Sequence, residues 1–353
     1  MIVVFGSINI DIIGHAPTLM RPGETVLGST LELAPGGKGA NQALAAARAG
    51  AEVKMVGCIG QDDFASPAIA LLSEAEIDLS GVRRMDRHTG TALIVVDAAG
   101  ENMITILPGA NSRLTATALQ QAGITADDTL VLQLEAPIGA VMGAAELARA
   151  AGARVILNLA PFIEFPPALL DHVDILVVNE SELAGVLSML GAPSGDEASS
   201  IAWLGAQSQA TIVATLGARG AIAFDGKQIF SAPALKITPI DTVGAGDTFV
   251  GYLAAGLAEK CVIQLSYAIG VSKPLSIFID TYGTGKIDDD RLEPVLQKVM
   301  NLSPRGIREH LGLNKPIYER TAAYGHFGRD PEADGGFSWE RTDLAEAIKA
   351  ELS

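Results

Sequence analysis

Short, predominantly apolar runs, separated by alanine-rich segments, constrain the fold of this 353-residue chain more than any other feature. The apolar runs lie at 2–5, 129–134, 155–158, 175–178 and 211–214, and alanine-rich stretches include 44–49 and 141–151. An apolar run without polar alternation is typical of a strand buried on both faces of a parallel sheet. Such strands alternating with helices predict an α/β domain with a doubly wound, mostly parallel sheet.

Two segments do not fit this alternation and predict a small second β-layer. Residues 24–33 form one of them, and residues 91–106 form the other. In the second segment, two strand-like runs flank the sequence DAAG at 97–100, which is typical of a hairpin. We expect these strands to project from the main sheet as a lid built from about residues 12–35 and 89–108.

Composition changes near residue 258 and predicts a second region. All five tyrosines follow position 251, and charged residues become denser after Ala258. The alternative explanation is a chance fluctuation of surface composition. The boundary reading gives a first domain over 1–258 and an α+β segment over 259–353, although residues 253–261 read as continuous helix without a linker.

Charge and cysteine content exclude several classes of function. The net charge of −16 argues against non-specific binding to nucleic acid or to anionic membranes, although a phosphate-handling enzyme needs positive potential only at its pocket. No apolar run reaches the roughly 18 residues of a membrane span, and the first residues lack the pattern of a signal peptide. Two distant cysteines, Cys58 and Cys261, indicate a reducing compartment and no disulfide. We therefore expect a cytoplasmic protein.

The strongest chemical motif is DTVGAGDTF at residues 241–249, directly before a helical run. Its glycines, Gly244 and Gly246, allow close backbone approach and place free N–H groups at a helix N-terminus, which favours a phosphate. Asp247, set among these donors, is either a catalytic carboxylate or an N-terminal capping group. The flanking residues and the helix behind the motif favour the catalytic interpretation.

Two further motifs predict ligand-binding groups. The sequence GGKGANQA at 36–43 has neither the Walker nor the dinucleotide-binding spacing. Its Lys38, Asn41 and Gln42 suit a polyhydroxylated ligand, and the alternative is a turn with an exposed lysine. Asn9 and Asp11 follow the first strand at strand spacing, so they share a face at the carboxyl end of the sheet.

The remaining motifs follow two later strands and leave two readings open. Asn179 and Glu182 in the sequence NESE either orient a hydrated Mg²⁺ and phosphate oxygens or cap a helix. The sequence TLGARG at 215–220 is either a simple hairpin turn or a loop beside a nucleotide.

These motifs, in this order and at these spacings, resemble the ribokinase-type sugar kinase family over about residues 1–258. The quoted segments are GSINID, PGGKGANQA, QLE, NESE, TLGARG and DTVGAGDTF. The resemblance implies a doubly wound α/β domain with a β-lid. It also implies transfer of the γ-phosphoryl group of ATP to a primary hydroxyl of a sugar, with D-ribose as the first sugar to expect.

The resemblance further implies a role for each matching residue. Asp247 is the base on the sugar hydroxyl, and Gly244, Ala245 and Gly246 form an anion hole. The sugar contacts are Asn9, Asp11, Gly37, Lys38, Asn41 and Glu135, and the nucleotide contacts are Asn179, Thr215, Gly217 and Gly220. Glu182 holds Mg²⁺ through water, and Asp241 and Val243 belong to a monovalent-cation site for K⁺. The implied partners are the sugar, ATP and a second copy of the chain through the lids.

After residue 258 the sequence departs from this family and resembles the carboxyl-terminal part of methionine adenosyltransferase, over about residues 255–350. The segments that carry the likeness are QLSYAIGV, DTYGTG, RTAAYGHFGR and WERTD. No catalytic residue is transferred from this second family. The chain reads as a chimera in which the usual last helices of the kinase are replaced. The alternatives to a working sugar kinase are a methionine adenosyltransferase-related protein and an inactive chimera that binds sugar or nucleotide.

Overall fold

The computed structural model describes residues 1–236, 244–258, 261–268, 270–281, 285, 287–321 and 331–352. The chain divides into two compact units, Met1–Ala255 and Gly256–Ser353. The division lies three residues before the boundary that composition predicts. Asp241 and Val243, the predicted monovalent-cation residues, lie outside the described residues.

The first unit alternates strands and helices along most of its length. Its described strands are β1 Ile2–Phe5, β2 Asn9–His15, β3 Thr30–Gly36, β4 Val53–Ile59, β5 Asp78–Arg84, β6 Gly90–Val96, β7 Asn102–Leu107, β8 Thr129–Leu132, β9 Arg154–Asn158, β10 Ile175–Asn179, β11 Thr211–Thr215, β12 Ala221–Phe224 and β13 Ile229–Ala232. Its described helices are α1 Lys38–Arg48, α2 Ala65–Ala68, α3 Ala70–Glu74, α4 Ala116–Ala122, α5 Ile138–Ala151, α6 Glu180–Leu190, α7 Glu197–Ser208 and the first part of α8 Ala245–Ala258. Short 3₁₀ turns lie at Gly109–Arg113, Pro167–His172 and Gly217–Arg219.

Nine of these strands form one sheet in the order β13-β12-β11-β10-β9-β8-β1-β4-β5. Neighbours from β11 to β5 are parallel, and β12 and β13 add an antiparallel edge. The predicted doubly wound, mostly parallel sheet is confirmed. The chain builds outward from β1 in one direction and from β8 in the other, so a topological switch point lies between these two strands.

The core explains why the predicted apolar runs become strands. All four residues of β1 and all four of β8 are buried, as expected for central strands covered on both faces. Helix α5 packs an alanine face that includes Ala144, Ala145 and Ala148, each fully buried. Such small side chains let the helix lie close to the sheet, which matches the predicted alanine-rich segment.

A second sheet has the strand order β3-β2-β6-β7. The hairpin predicted around residues 97–100 is present: the Asp97 N–H donates to the Glu101 carbonyl at 2.9 Å, and Gly100 has a φ of 83°. The predicted strand at 24–33 is shifted, because β3 begins at Thr30 and continues to Gly36. The pairing of β3 with β2 ends at His15 and Thr30. Residues 24–29 are mostly exposed and have no partner strand.

The second unit is smaller and has α+β character, as predicted. Its described strands are β14 Val262–Ser266 and β15 Ser276–Asp280, which pair antiparallel, and its further helices are α9 Asp289–Val299, α10 Pro304–His310, α11 Tyr318–Thr321 and α12 Ala345–Leu352, with a 3₁₀ turn at Ser338–Glu340. Its buried apolar side chains include Leu302, Ile317 and Phe337. Phe337 contacts Trp339 edge to face with ring centroids 5.8 Å apart.

Two smaller expectations can be checked against the described part of the chain. Cys58 is buried and Cys261 is exposed, and neither is in a disulfide. Among the described helices, none is long and apolar enough to cross a membrane. The cytoplasmic location stays a prediction.

Candidate functional site

The predicted site residues of the first unit gather where β1 and β8 end. Phe5 and Leu132 are partners in the parallel register, so Gly6 and Gln133 follow side by side. Ligands bind in this position of an open α/β sheet, outside the carboxyl ends of the strands at a topological switch point.

Backbone packing around the entry to α1 explains the glycines of the GGKGANQA segment. Gly37 has a φ of 92°, and a Cβ there would lie 2.8 Å from the Asn9 nitrogen and 3.0 Å from the Ser7 oxygen. A Cβ on Gly39 would lie 2.7 Å from both backbone N and O of Ser7. The first turn of α1 therefore packs backbone to backbone on the loop after β1, and the Ala40 N–H donates to the Ser7 carbonyl at 2.9 Å. This packing brings the polar side chains of α1 to the switch point.

Asp247, the predicted base, is 5% exposed and is the third residue of α8. Asn41 Nδ2 donates to its Oδ2 at 3.2 Å, and Gln42 Nε2 donates to its Oδ1 at 2.9 Å. Both carboxylate oxygens thus accept from side chains of α1. That is not the bonding of an N-cap residue, whose side chain accepts from backbone N–H groups of its own helix. The site orients this carboxylate through amides.

Besides Asn41, two further predicted sugar-contact residues have protein partners. Glu135 Oε2 accepts from the Ser7 hydroxyl at 2.5 Å and from the Lys38 backbone N–H at 3.0 Å. Asn9 is buried, and its Oδ1 accepts from Asn111 Nδ2 at 2.7 Å. The Asn111 amide also bonds both backbone groups of the residue before Asn9, which fixes the start of β2.

Asp11 is the carboxylate whose titration the site changes most. Burial raises its pKa to about 6, with further contributions from the negative charges of Glu135 and Asp247. A Cβ on Gly36, at the end of the adjacent strand β3, would lie 2.3 Å from the Asp11 carboxylate oxygens. The glycine therefore leaves the space that the carboxylate occupies. Asp11 therefore lies within electrostatic reach of Glu135 and Asp247.

Asn179 and Glu182 form a capping box at the start of α6. Asn179 Oδ1 accepts from the Glu182 N–H at 2.8 Å, and Glu182 Oε2 accepts from the Asn179 N–H at 2.8 Å. The capping interpretation is thus correct for these two oxygens. Burial raises the pKa of Glu182, against the Asn179 N–H and the charge of Lys38, and Asp247 adds to the increase. The structure therefore places Glu182 within electrostatic reach of the predicted base.

The side chains available near Glu182 can be compared with the ligands that the predicted Mg²⁺ would need. Within the described residues, no three His, Cys, Asp or Glu side chains are grouped as a metal site would require. Mg²⁺ commonly binds through one or two carboxylates, substrate phosphates and waters. The capping bonds do not use Glu182 Oε1, which fits an ion held mainly by phosphates and water. They also leave the Asn179 NH₂ group, which suits donation to a phosphate oxygen.

The TLGARG segment connects β11 to β12 as a hairpin. The Leu216 N–H donates to the Gly220 carbonyl at 2.8 Å, and Gly217 and Gly220 have φ of 54° and 98°. Arg219 pairs with Glu180 and Glu197 at the starts of α6 and α7. The hairpin interpretation describes this segment, and the nucleotide role of Thr215, Gly217 and Gly220 stays a prediction.

The predicted anion hole lies at the start of α8. Gly244 has a φ of 73°, a conformation that favours glycine, and its carbonyl accepts from the Thr248 N–H at 2.8 Å. Ala245 and Gly246 are exposed first-turn residues, whose N–H groups have no partner within an α-helix. The helix end thus offers donors next to Asp247.

The sequence reasoning missed Ser7, Asn111 and Gln133, which hold the predicted residues in place. Gln133 is fully buried, and its Nε2 donates to Gln42 Oε1 at 2.7 Å. A signal for Gln133 was present: a lone amide stands inside the apolar run 129–134, two residues before Glu135. Asn111 lies in a 3₁₀ turn after β7 and has no comparable signal.

The sheet order, the small second sheet and the polar site at the switch point define a ribokinase-like α/β domain. Residues 1–272 match the family model described as pfkB family carbohydrate kinase. Because this match covers well over half of the chain, the chain belongs to the pfkB family of carbohydrate kinases.

Solved ribokinases are among the similar structures. The ribokinase from Thermotoga maritima has a TM-score of 0.68 and 31% identity, covering 73% of this chain and 85% of that one. The ribokinase from Cryptococcus neoformans, solved with ADP, has a TM-score of 0.63 and 35% identity, covering 73% and 86%. The ribokinase from Arabidopsis thaliana, complexed with ribose and ATP, has a TM-score of 0.64 and 29% identity, covering 73% and 85%.

The carboxyl-terminal part has a different set of relatives. Residues 248–341 match the family model described as the S-adenosylmethionine synthetase C-terminal domain. The S-adenosylmethionine synthase of Roseobacter denitrificans is 74% identical over 100 residues, which are 28% of this chain and 25% of that protein. The enzyme of Ruegeria pomeroyi is 56% identical over 164 residues, 46% of this chain and 39% of that protein. The chain thus spans well under half of these relatives, and both predicted resemblances are confirmed.

Proposed function

We propose that the first unit transfers the γ-phosphoryl group of ATP to a primary hydroxyl of a sugar, with D-ribose as the first candidate. One observation carries the proposal: a buried carboxylate, Asp247, is oriented by two side-chain amides beside the free N–H groups of a helix N-terminus. A positioned base next to an anion-binding helix end is what phosphoryl transfer to a hydroxyl requires. The family match and the ribokinase-like fold support it.

In this proposal Asp247 accepts the proton of the sugar hydroxyl. The hydroxyl oxygen bonds to the γ-phosphorus, the bond to the β-phosphate oxygen breaks, and sugar phosphate and ADP are the products. The N–H groups of Gly244, Ala245 and Gly246 stabilise the negative charge on the transferred group. Positioning and electrostatics carry most of the catalysis in such reactions, so one base suffices.

The remaining predicted residues divide between the two substrates and the ions. Asn9, Asp11, Gly37, Lys38, Asn41 and Glu135 are proposed to bind the sugar, and Asn179, Thr215, Gly217 and Gly220 the nucleotide. Glu182 is proposed to hold Mg²⁺ through water, and the ion neutralises phosphate charge when bound. Asp241 and Val243 remain the proposed K⁺ residues.

We further propose that two copies associate through the small sheet. Its β-ladder places Leu31, Leu33, Leu93 and Met103 on the face opposite Asp11, and each is at least 41% exposed. Apolar patches of this kind mark interaction sites. A dimer in sedimentation equilibrium that Leu33→Glu turns into a monomer supports this, and an unchanged mass distribution contradicts it.

The test of the kinase proposal is ADP formation from ATP–Mg²⁺ by the full chain, with and without D-ribose and K⁺. We expect ribose-dependent ADP formation that falls by about 10²–10⁴-fold in Asp247→Ala. Ribose binding, measured by calorimetry, should be largely retained, and Asp127→Ala, which removes an exposed aspartate, should behave like the unaltered chain. ADP formation that does not depend on any sugar, or an Asp247→Ala variant with full turnover, contradicts the assignment.

A parallel reaction with ATP and methionine tests the alternative function. We expect no S-adenosylmethionine, because the chain spans only 25% and 39% of the two synthases described above. Formation of this product would favour a methionine adenosyltransferase-related activity. No product in either reaction from a chain that unfolds cooperatively would favour the inactive chimera.

A further inference from the structure

Three buried side chains form a chain of hydrogen bonds that ends on the proposed base. Gln133 Nε2 donates to Gln42 Oε1 at 2.7 Å, and Gln42 Nε2 donates to Asp247 Oδ1 at 2.9 Å. Both glutamines are fully buried. Gln133 follows β8, Gln42 lies in the first turns of α1, and Asp247 lies in α8, so the chain joins three separate elements.

The chemistry of the carboxylate fixes the direction of this chain. An ionised carboxylate can only accept, so Gln42 must present its NH₂ group to Asp247. The Gln42 oxygen then faces Gln133, which must in turn present its own NH₂ group. Reversing either amide would bring two oxygens together without a proton between them.

At the end of these hydrogen bonds farthest from Asp247, the orientation of Gln133 leaves one polar atom unsatisfied. Gln133 Oε1 is buried and has no hydrogen-bond partner among the described residues. It lies against Gly6, where an added Cβ would be 1.9 Å from this oxygen. An unpartnered buried acceptor is unfavourable. This orientation is not expected of an isolated glutamine. It is expected of a glutamine whose NH₂ group must donate to Gln42, and through it toward Asp247.

We propose that Gln133 is a positioning residue, which acts through Gln42 to keep Asp247 ionised and aimed for proton transfer. The inference rests on the proposed role of Asp247 as the base. Gln133 does not touch the carboxylate, and its effect passes through one intervening amide.

Other groups also act on the Asp247 carboxylate and enter any pH profile. Asn41 donates to its second oxygen at 3.2 Å. The negative charges of Asp11 and Glu182 interact with it through space, and the positive charge of Lys38 acts on Glu182. Gln133 and Gln42 are neutral, so their contribution is separable from that of these charges by a neutral substitution.

The kinetic test uses Gln133→Met, which keeps the length and apolar stem of the side chain and removes the donor. We expect kcat for sugar phosphorylation to fall about tenfold, because Gln42 Oε1 loses its donor and the Gln42 amide is held less firmly in the direction that donates to Asp247. The KM for the sugar should change little, and the acidic limb of the pH–rate profile should move to higher pH. Ser208→Ala, which removes a buried hydrogen bond of 2.9 Å in α7, is the matched control and should do neither.

The second test measures unfolding and does not need activity. In Gln133→Glu a carboxylate lies at each end of the chain of hydrogen bonds. Gln42 cannot donate to both carboxylates, so the variant should be destabilised. Adding Asp247→Asn lets every hydrogen bond in this chain reverse its direction: the amide of residue 247 donates to Gln42, and Gln42 donates to the new carboxylate at residue 133. We expect this second change to recover about tenfold in the folding equilibrium constant.

The control for charge alone is Asp11→Asn in the same Gln133→Glu background. It removes a nearby carboxylate that does not belong to the chain of hydrogen bonds. Each recovery is counted beyond the effect that the same change has with Gln133 in place, and on this measure Asp11→Asn should restore much less stability than Asp247→Asn. Equal recovery from the two changes, or none from Asp247→Asn, overturns the proposal. So does an unchanged kcat and pH profile in Gln133→Met when the unaltered chain is active. An inactive unaltered chain refutes the kinase proposal instead, and the unfolding cycle still decides the role of Gln133.

Discussion

Replacing Gly37 by alanine perturbs the packing that brings α1 to the switch point. The residue has a φ of 92°, in the left-handed region, and its missing Cβ leaves room for the backbone of Asn9 and Ser7. Both neighbours are main-chain atoms of the loop after β1, so they cannot turn away as a flexible side chain could. We therefore expect the substitution to act mainly on stability and on the geometry of the site.

The structure gives a magnitude for this effect. A left-handed conformation costs a residue with a Cβ about 1–2 kcal/mol. The close contacts, 2.8 Å to the Asn9 nitrogen and 3.0 Å to the Ser7 oxygen, add an overpacking cost of about 1–3 kcal/mol. The sum, about 2–5 kcal/mol, corresponds to a loss of roughly 4–20 °C in Tm for a domain of this size.

The assay is urea unfolding followed by the fluorescence of Trp203, in a Trp339→Phe background so that only the first unit reports. The matched control is Gly139→Ala in α5, where an added Cβ meets nothing within 4 Å and φ is not positive. We expect this control to be neutral or stabilising by about 0.4–1 kcal/mol. A Gly37→Ala variant within 0.5 kcal/mol of the control would refute the packing argument.

Two further predictions concern carboxyl and capping groups. The folded-state pKa of Asp11 is raised to about 6 from 3.8, so this group favours folding at low pH and that contribution is lost as the pH rises from about 4 to 6. Asp11→Asn should therefore stabilise the sugar-free first unit by about 1 kcal/mol at pH 7, after allowance for partial exposure, and by nothing near pH 4; equal effects at both pH values in urea unfolding would contradict this. Asn179→Ala and Asp196→Ala each remove a helix cap and should each cost about 1 kcal/mol. ATP binding measured by calorimetry should weaken only in Asn179→Ala, and an equal loss in Asp196→Ala would remove the proposed nucleotide role.

The fold was predictable where burial decides local structure. Fully buried strands such as β1 and β8 are almost entirely apolar, with Thr129 at the start of β8 as their one polar residue, so their sequence pattern is unambiguous. The start of β3 was not predictable in this way, because residues 24–29 resemble a strand in composition but have no partner strand beyond His15. A strand of the small sheet is defined by its neighbour, and the neighbour is distant in sequence.

The site was predictable at residues that belong to a glycine-rich or strand-end motif. Lys38, Asn41 and Asp247 were visible because helix entry after glycines is a local signal. Asn111 was not, because its partner Asn9 is 102 positions away and nothing near it in the sequence reports that contact. The same holds for the direction of the Gln133 amide, which depends on a carboxylate two hydrogen bonds away.

The use of amides around Asp247 is itself informative about its proposed chemistry. An arginine or lysine in place of Asn41 or Gln42 would orient the carboxylate at least as firmly, because charge-assisted hydrogen bonds are the stronger ones. A full positive charge in contact would also oppose proton uptake, which a general base must accomplish near neutral pH. Neutral donors fix the direction of the carboxylate and oppose proton uptake less than a full positive charge in contact would.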